Sequence, residues 1–324
     1  VTSEQLWTSA AWRQLASDWI DDRLGDAGIK RTGDVTQPRV RPWGTVLTAS
    51  TSAGPVWMKA PGPETVFEVS LYQLLRKVVP EWIVPPIAVD VERGWLLLPD
   101  GGTTLWASGN DPVEGMVRVL PQYARLQRDL MPHAENLLSV GVVDMRAPIM
   151  LQRFDEAVEA VARRGRPDII RQIGARRAVV AEWCCELAAL PIPASLDHND
   201  LHTKNVFVSP VLIDGDRIRF YDWGDSVVAH PFASMIVGLK GMTLMHGVAP
   251  SDPIMLRLRD AYLAAFSDLA PHKELVRQME LACRVGMIAR TLVWERALQS
   301  AGGHSDFETA PLETLQSVLN DKWS

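Results

Sequence analysis

The strongest constraint on the fold is a run of β-type and polar sequence that interrupts an otherwise helical half of the chain. Pro191-Ile192-Pro193 closes a helical stretch and leads into Ser195 to Asn205, with polar side chains at His198, Asn199, Asp200, His202, Thr203, Lys204 and Asn205. Val206-Phe207-Val208 then reads as a strand that pairs with Arg217 to Tyr221 across an Asp214-Gly215 turn, since Asp-Gly between apolar runs is a hairpin signal. Asp222-Trp223-Gly224-Asp225 follows directly. A loop that carries Asp200 and Asn205 is thereby brought alongside Asp222.

The flanking patterns set the fold class. Residues 3–25 read as one amphipathic helix with Trp12, Leu15 and Trp19 on a shared face. Strands are expected at 45–49 and 56–60 around Ser52-Ala53-Gly54-Pro55. A helix is expected over 64–78, with Phe67, Leu71, Leu74 and Leu75 on one face. An extended stretch at 83–89 precedes a buried strand at 95–98, and Asp100-Gly101-Gly102-Thr103-Thr104 reads as a hinge. Beyond it, Asp111-Pro112 opens a helix to Leu130 with a kink near Pro121. Further helices are expected at 153–164, 168–189, 232–245, 253–268, 272–300 and, after Gly302-Gly303, at 311–319. The expectation is an α+β chain: a small β-rich lobe over 1–100 and a larger, mainly helical lobe over 101–324.

Composition narrows the partners. The 324 residues are 47% hydrophobic and 22% charged, which excludes a disordered chain. A net charge of −6, spread evenly, argues against a nucleic-acid partner. Three cysteines, Cys184, Cys185 and Cys283, give no disulfide framework, and Cys184-Cys185 reads as helix core. No apolar run is long enough to span a bilayer, and the first residues lack a signal-peptide pattern, so a cytoplasmic protein with no membrane partner is expected.

A carboxylate, an amide five residues on and a second carboxylate after a hairpin suit phosphoryl transfer. That chemistry needs a carboxylate at the acceptor hydroxyl and hard oxygen ligands for Mg²⁺ beside the phosphates. His198-x-Asp200-x-His202 also has the form of a zinc site, but the remaining histidines (133, 230, 246, 272, 304) supply no second H-x-H pair.

These segments resemble the aminoglycoside phosphotransferase and choline kinase superfamily, which has a protein kinase-like fold. His198, Asp200 and Asn205 match its H-G-D-x-x-x-x-N loop, with Asn199 in place of Gly, and Asp222-Trp223 matches its [ILVF]-D-[WF] segment. The resemblance implies an ATP-dependent kinase acting on a small-molecule hydroxyl, GTP not being excluded as donor. It implies Asp200 as catalytic base, and Asn205 and Asp222 as Mg²⁺ ligands. His202 stands where protein kinases have Lys, which favours a small acceptor. Lys59 is assigned to the α- and β-phosphates and Glu68 to its ion pair, with Glu64 as the alternative partner. No G-x-G-x-x-G occurs in the first lobe, and Trp43-Gly44 takes the place of a phosphate-covering loop. Adenine is expected along 96–100, including Leu98 and Asp100. Candidate acceptor groups are His202, Asp225, Trp294 and Glu295, with Asp144 and Arg146 behind them. The excess of only four acidic residues beyond residue 100 points to an acceptor with at most one or two positive charges. An amino sugar, an aminoglycoside-like antibiotic or another hydroxylated metabolite is expected. Oligomeric state is open, and the alternative function is a nucleotide-binding pseudokinase or regulatory module without turnover.

Overall fold

A computed structural model describes residues 2–209, 218–299 and 307–320; the Asp214-Gly215 turn and Gly302-Gly303 lie outside the described residues. The N-terminal helix is two helices, α1 (Ser3–Thr8) and α2 (Ala10–Asp26). Ser9 separates them in an extended conformation, and its hydroxyl accepts from the Trp12 amide, the standard use of serine at a helix start. Trp12 and Trp19 are buried and meet the edge of Trp95, with ring centroids 5.8 and 5.5 Å away. Leu15 does not join them. It is 60% exposed because the inward face runs through Ala16 and Ile20 instead.

Strands β1 (Thr36–Arg41), β2 (Gly44–Thr51) and β3 (Gly54–Pro61) form a meander, followed by α3 (Phe67–Val78), β4 (Ala88–Asp90) and β5 (Trp95–Pro99). They make one antiparallel sheet in the order β1-β2-β3-β5-β4. The expected stretch at 83–89 contributes only β4, since Pro85-Pro86 removes two ladder donors and leaves Ile83 a single bridge to Phe220. Side chains alternate across β5. Leu97 joins Trp12, Trp19, Leu47 and Met58 on one face, whereas Leu96 joins Leu71, Tyr72 and Leu75 of α3 on the other. Helix α3 therefore belongs to the large hydrophobic cluster that continues through the helical half.

Within the stretch read as a hinge, Thr103–Thr104 forms strand β6, which precedes α4 (Pro112–Leu130); α4 runs unbroken through Pro121 and is capped by the Asp111 carboxylate on the amides of Val113 and Glu114. Next come α5 (Ala134–Ser139), β7 (Val143–Asp144) and α6 (Met150–Ala162). The stretch expected as one helix over 168–189 is α7 (Pro167–Ala175) and α8 (Arg177–Ala188). The chain then forms β8 (Ser195–Asp197), β9 (Val206–Val208), β10 (Arg219–Phe220), β11 (Val227–Ala229), α9 (Met235–His246), α10 (Pro253–Leu263), α11 (His272–Gln299) and α12 (Ala310–Leu315). Two small sheets, β10-β9-β6 and β7-β11-β8, hold the ends of the 198–205 loop and of the Asp222 to Asp225 turn. Hinge and hairpin are in direct contact. A Cβ added to Gly101 would lie 2.1 Å from the Phe207 ring, so only glycine lets the hinge backbone approach β9 this closely.

Candidate active site

Lys59, on β3, extends its ammonium between two carboxylates. Its Nζ lies 2.8 Å from Glu68 Oε1, 2.7 Å from Glu68 Oε2 and 2.5 Å from Asp222 Oδ1. Glu68 is fully buried in the first turn of α3 and also accepts from the Trp223 amide at 3.0 Å, whereas Glu64 is exposed. Burial pushes the Lys59 ammonium down, but Asp222 and Glu68 outweigh it and raise its affinity for the proton. The same ammonium holds Asp222 below the usual carboxylate range against its burial.

The 198–205 loop is fixed from beneath. Asn199 has φ +59°, a left-handed conformation in which Gly and Asn are the tolerated residues, and this accounts for Asn at a position where the resembled loop has Gly. Its amide N–H and side chain donate to Asp197 at 2.8 and 3.1 Å, and the Ser234 hydroxyl donates to the same carboxylate at 2.6 Å. The His198 amide donates to the Tyr123 hydroxyl at 3.0 Å, and His198 Nε2 lies 2.9 Å from the Tyr221 carbonyl. Its ring packs against Trp223, 4.6 Å between centroids. Asn205 Nδ2 closes the loop on the carbonyl and Oδ2 of Asp200, at 3.0 and 3.1 Å. Asp222 takes φ +66° at the turn after β10.

Asp200 is held from two further sides, by His202 Nε2 at 3.3 Å and Arg290 Nη2 at 3.4 Å. Burial would raise its pKa; the His202 hydrogen bond and the Arg290 charge outweigh it and keep the carboxyl ionised well below the usual range. Arg290, on α11, also donates to the Asn199 carbonyl and side-chain oxygen and to Asp225 at 3.4 Å, while lying over the Trp294 ring at 4.8 Å. Asp225 is pushed up to about 6 by burial and by the nearby Asp200 charge, against the pull of Arg290 and Arg296.

Two cavities flank this arrangement. One, of about 410 Å³, is lined by Lys59, Glu68, Leu98, Asp100, Phe207 and Asp222. The other, of about 980 Å³, lies among α9, α11 and α12 and is lined by Asp200, His202, Lys240, Met287, Arg290 and Trp294. Asp222 faces the first and Asp200 the second.

Neither a protein-family model nor a curated protein matches the sequence. Solved structures do match. Macrolide 2'-phosphotransferase type I superposes with a TM-score of 0.59 at 15% identity, over 95% of this chain and 98% of that one. Plasmodium vivax ethanolamine kinase gives 0.63 at 11% identity, over 96% and 89%. The GDP and kanamycin complex of APH(2")-IIia gives 0.61 at 14% identity, over 94% and 98%. The fold is the protein kinase-like fold.

Within this kinase-like fold, several expected groups fall elsewhere. Trp43 and Gly44 do not line the smaller cavity. The Trp43 carbonyl is taken by the Gly62 amide at 2.8 Å and the Thr65 hydroxyl at 3.1 Å, and the same hairpin presents Arg39 and Val46 to the cavity. Glu295 does not reach the larger cavity; it is turned the other way on α11 and holds Arg164 through two bonds of 2.6 and 2.9 Å. Asp225 lies behind Arg290 rather than on the cavity wall, and Asp144 and Arg146 pair with each other at 2.7 Å away from it. Among the described residues, no group of three or more His, Cys, Asp or Glu suited to a metal gathers around His198 and His202. Among the described residues no helix is long and apolar enough to cross a membrane. Sequence reasoning passed over Arg290 and Lys240. The signal for Arg290 was its i, i+3, i+7 spacing with Met287 and Trp294, which puts a cation on the same helix face as the cavity wall.

Proposed function

We propose that the chain is an ATP-dependent phosphotransferase that moves the γ-phosphoryl group to a hydroxyl of a small molecule. The observation that carries this reading is the pair of cavities, one lined by Asp222, Lys59 and Glu68 and the other by Asp200. In this reading residues 1–100 form the nucleotide lobe and residues 101–324 the catalytic lobe, with the base along Leu98 to Asp100.

Lys59 binds the α- and β-phosphates, pre-oriented by buried Glu68. Asn205 and Asp222 offer an amide and a carboxylate oxygen donor, a set that fits Mg²⁺, which takes one or two protein oxygens and completes its shell with phosphates and water. That ion, when bound, supplies charge neutralisation at the phosphates. Asp200 accepts a hydrogen bond from the acceptor hydroxyl and then its proton. A strongly acidic carboxyl is a weak base, but the transition state of phosphoryl transfer is loose, so orienting the nucleophile matters more than early deprotonation. His202 and Arg290 hold Asp200 in that orientation. GTP is the alternative donor, in keeping with the GDP complexes among the neighbours.

Calorimetric titration of Mg-ATP, alongside ADP release with a panel of hydroxylated antibiotics, amino sugars and other alcohols, tests the reading. Acceptor-dependent ADP release supports it; Mg-ATP binding with no release under any acceptor favours the pseudokinase alternative.

A further inference from the structure

The larger cavity has an unusual charge inventory for an acceptor site. Of its acidic side chains, Asp200 is already engaged by His202 and Arg290, and Glu313 is exposed. Among the described lining residues no buried carboxylate is left uncommitted to receive an ammonium. Lys240, near the middle of α9, presents the opposite situation. It is half-buried on the cavity wall, and among the described residues it has no hydrogen-bond or ion-pair partner. Desolvation lowers the proton affinity of its ammonium, as expected for a cation taken out of water without an anion. The rest of the wall is largely apolar, built from Ile236, Val237, Met245, Met287 and the Trp294 indole.

The position of Lys240 ties it to the loop. Its neighbour Gly241 faces His202, with an added Cβ only 3.6 Å from the His202 Cβ, so α9 lies directly on the segment that carries Asp200. Lys240 and Asp200 line the same cavity, so one ligand filling it can meet both.

We propose that the acceptor carries, besides its hydroxyl, one carboxylate on a mainly apolar body, and that Lys240 is the residue that selects it. This rests on the phosphotransferase reading. A carboxylate is favoured over a phosphate because one ammonium balances one charge, whereas a phosphate monoester brings up to two and calls for several donors. The volume of about 980 Å³ admits a drug-sized body.

The test uses the full chain with Mg-ATP and three matched probes: hydroxymethylbenzoate, its methyl ester and aminomethylbenzyl alcohol. Binding is read by tryptophan fluorescence and turnover by ADP release. The acid should bind about tenfold more tightly than the ester, the increment of a charged hydrogen bond, and the amine least well. Lys240→Met should remove that preference and Lys240→Arg should retain most of it, with Mg-ATP titration verifying that both variants are folded. Equal or better binding of the ester or amine overturns the proposal. So does a preference that survives Lys240→Met, or no saturable binding of any probe by protein that still binds Mg-ATP. Failure of the unaltered protein to bind Mg-ATP strikes instead at the phosphotransferase reading.

Discussion

Arg290, from the long helix α11, donates to the carboxylate of Asp200, ninety positions earlier in the sequence, at 3.4 Å. The same guanidinium binds the Asn199 carbonyl, so it fixes both the loop backbone and the side chain that would meet the acceptor. Arg290→Met should lower kcat by about 10²-fold, the usual cost of a misplaced reacting group, with a much smaller change in KM for Mg-ATP. Arg290→Lys should recover only part, because an ammonium cannot replace the forked set of bonds. Steady-state kinetics on both variants check this, and unchanged kcat in Arg290→Met removes Arg290 from the positioning role.

Asp200 and Asp222 should separate by function. Asp200→Asn keeps shape but cannot accept the proton, and turnover should fall by ~10²–10⁴-fold with Mg-ATP affinity nearly unchanged. Asp222→Ala should weaken Mg²⁺-dependent nucleotide binding as well as turnover. Calorimetry beside ADP release distinguishes the two, and the reverse pattern would mean that the roles are exchanged.

Glu68 has no solvent to fall back on if its partner leaves. Lys59→Met should weaken nucleotide binding and also destabilise the fold by about 3 kcal/mol, the cost of stranding a buried charge. Pairing it with Glu68→Gln should return part of that stability. Denaturant unfolding of both single variants and the double variant gives the coupling, and strictly additive losses would contradict a shared ion pair.

Gly101→Ala should force the Phe207 ring away from the hinge. Phe207 stacks on Tyr221 at 4.3 Å and both rings line the smaller cavity, so nucleotide affinity and stability should fall together, the latter by about 1–3 kcal/mol. Adding Phe207→Ala makes room and should remove most of the Gly101→Ala strain. If Gly101→Ala alone is neutral in both measurements, the close approach is not limiting.

His230 predicts an acid response. Its Nδ1 accepts from the Phe232 amide at 3.3 Å, its Nε2 is buried without a hydrogen-bond partner among the described residues, and burial pushes its pKa down to about 3 from 6.5. Between those values the unfolded chain binds more protons than the folded one, so stability is complete above pH 6.5 and declines as pH falls toward 3. The loss should amount to a few kcal/mol over that window. His230→Asn, which can still cap the Phe232 amide, should flatten the slope in melting scans between pH 7 and 4; an unchanged slope assigns the acid response to other groups.

Much of the fold is legible in the sequence because its signals are local. Short apolar runs bounded by turn residues mark β2, β3 and β5, and Asp111-Pro112 marks the start of α4. The loop and hairpin are equally local, so Asp200, Asn205 and Asp222 can be named without a structure. What depends on packing is harder to read. Helix α11 buries residues around most of its circumference, from Leu275 to Leu298, so its sequence does not say which face meets the loop. Glu295 therefore looks as eligible as Arg290, although the structure turns it to Arg164. The same ambiguity hides Lys240, which is one cation on a mainly apolar helix until α9 is laid against His202.

Helix α3 is continuous in sequence with the five-stranded sheet, yet its buried side chains are part of the larger cluster. Cooperative unfolding follows buried contacts, so the sheet with α1 and α2 is a separate candidate foldon, and α3 should unfold with the helical half. The Lys59–Glu68 bond then crosses the seam between two foldons. Native-state hydrogen exchange should find the amides of α3 opening with those of α4 and α11 rather than with those of β2 and β3. Any sub-global opening of the sheet would withdraw Lys59 while leaving Glu68 in place.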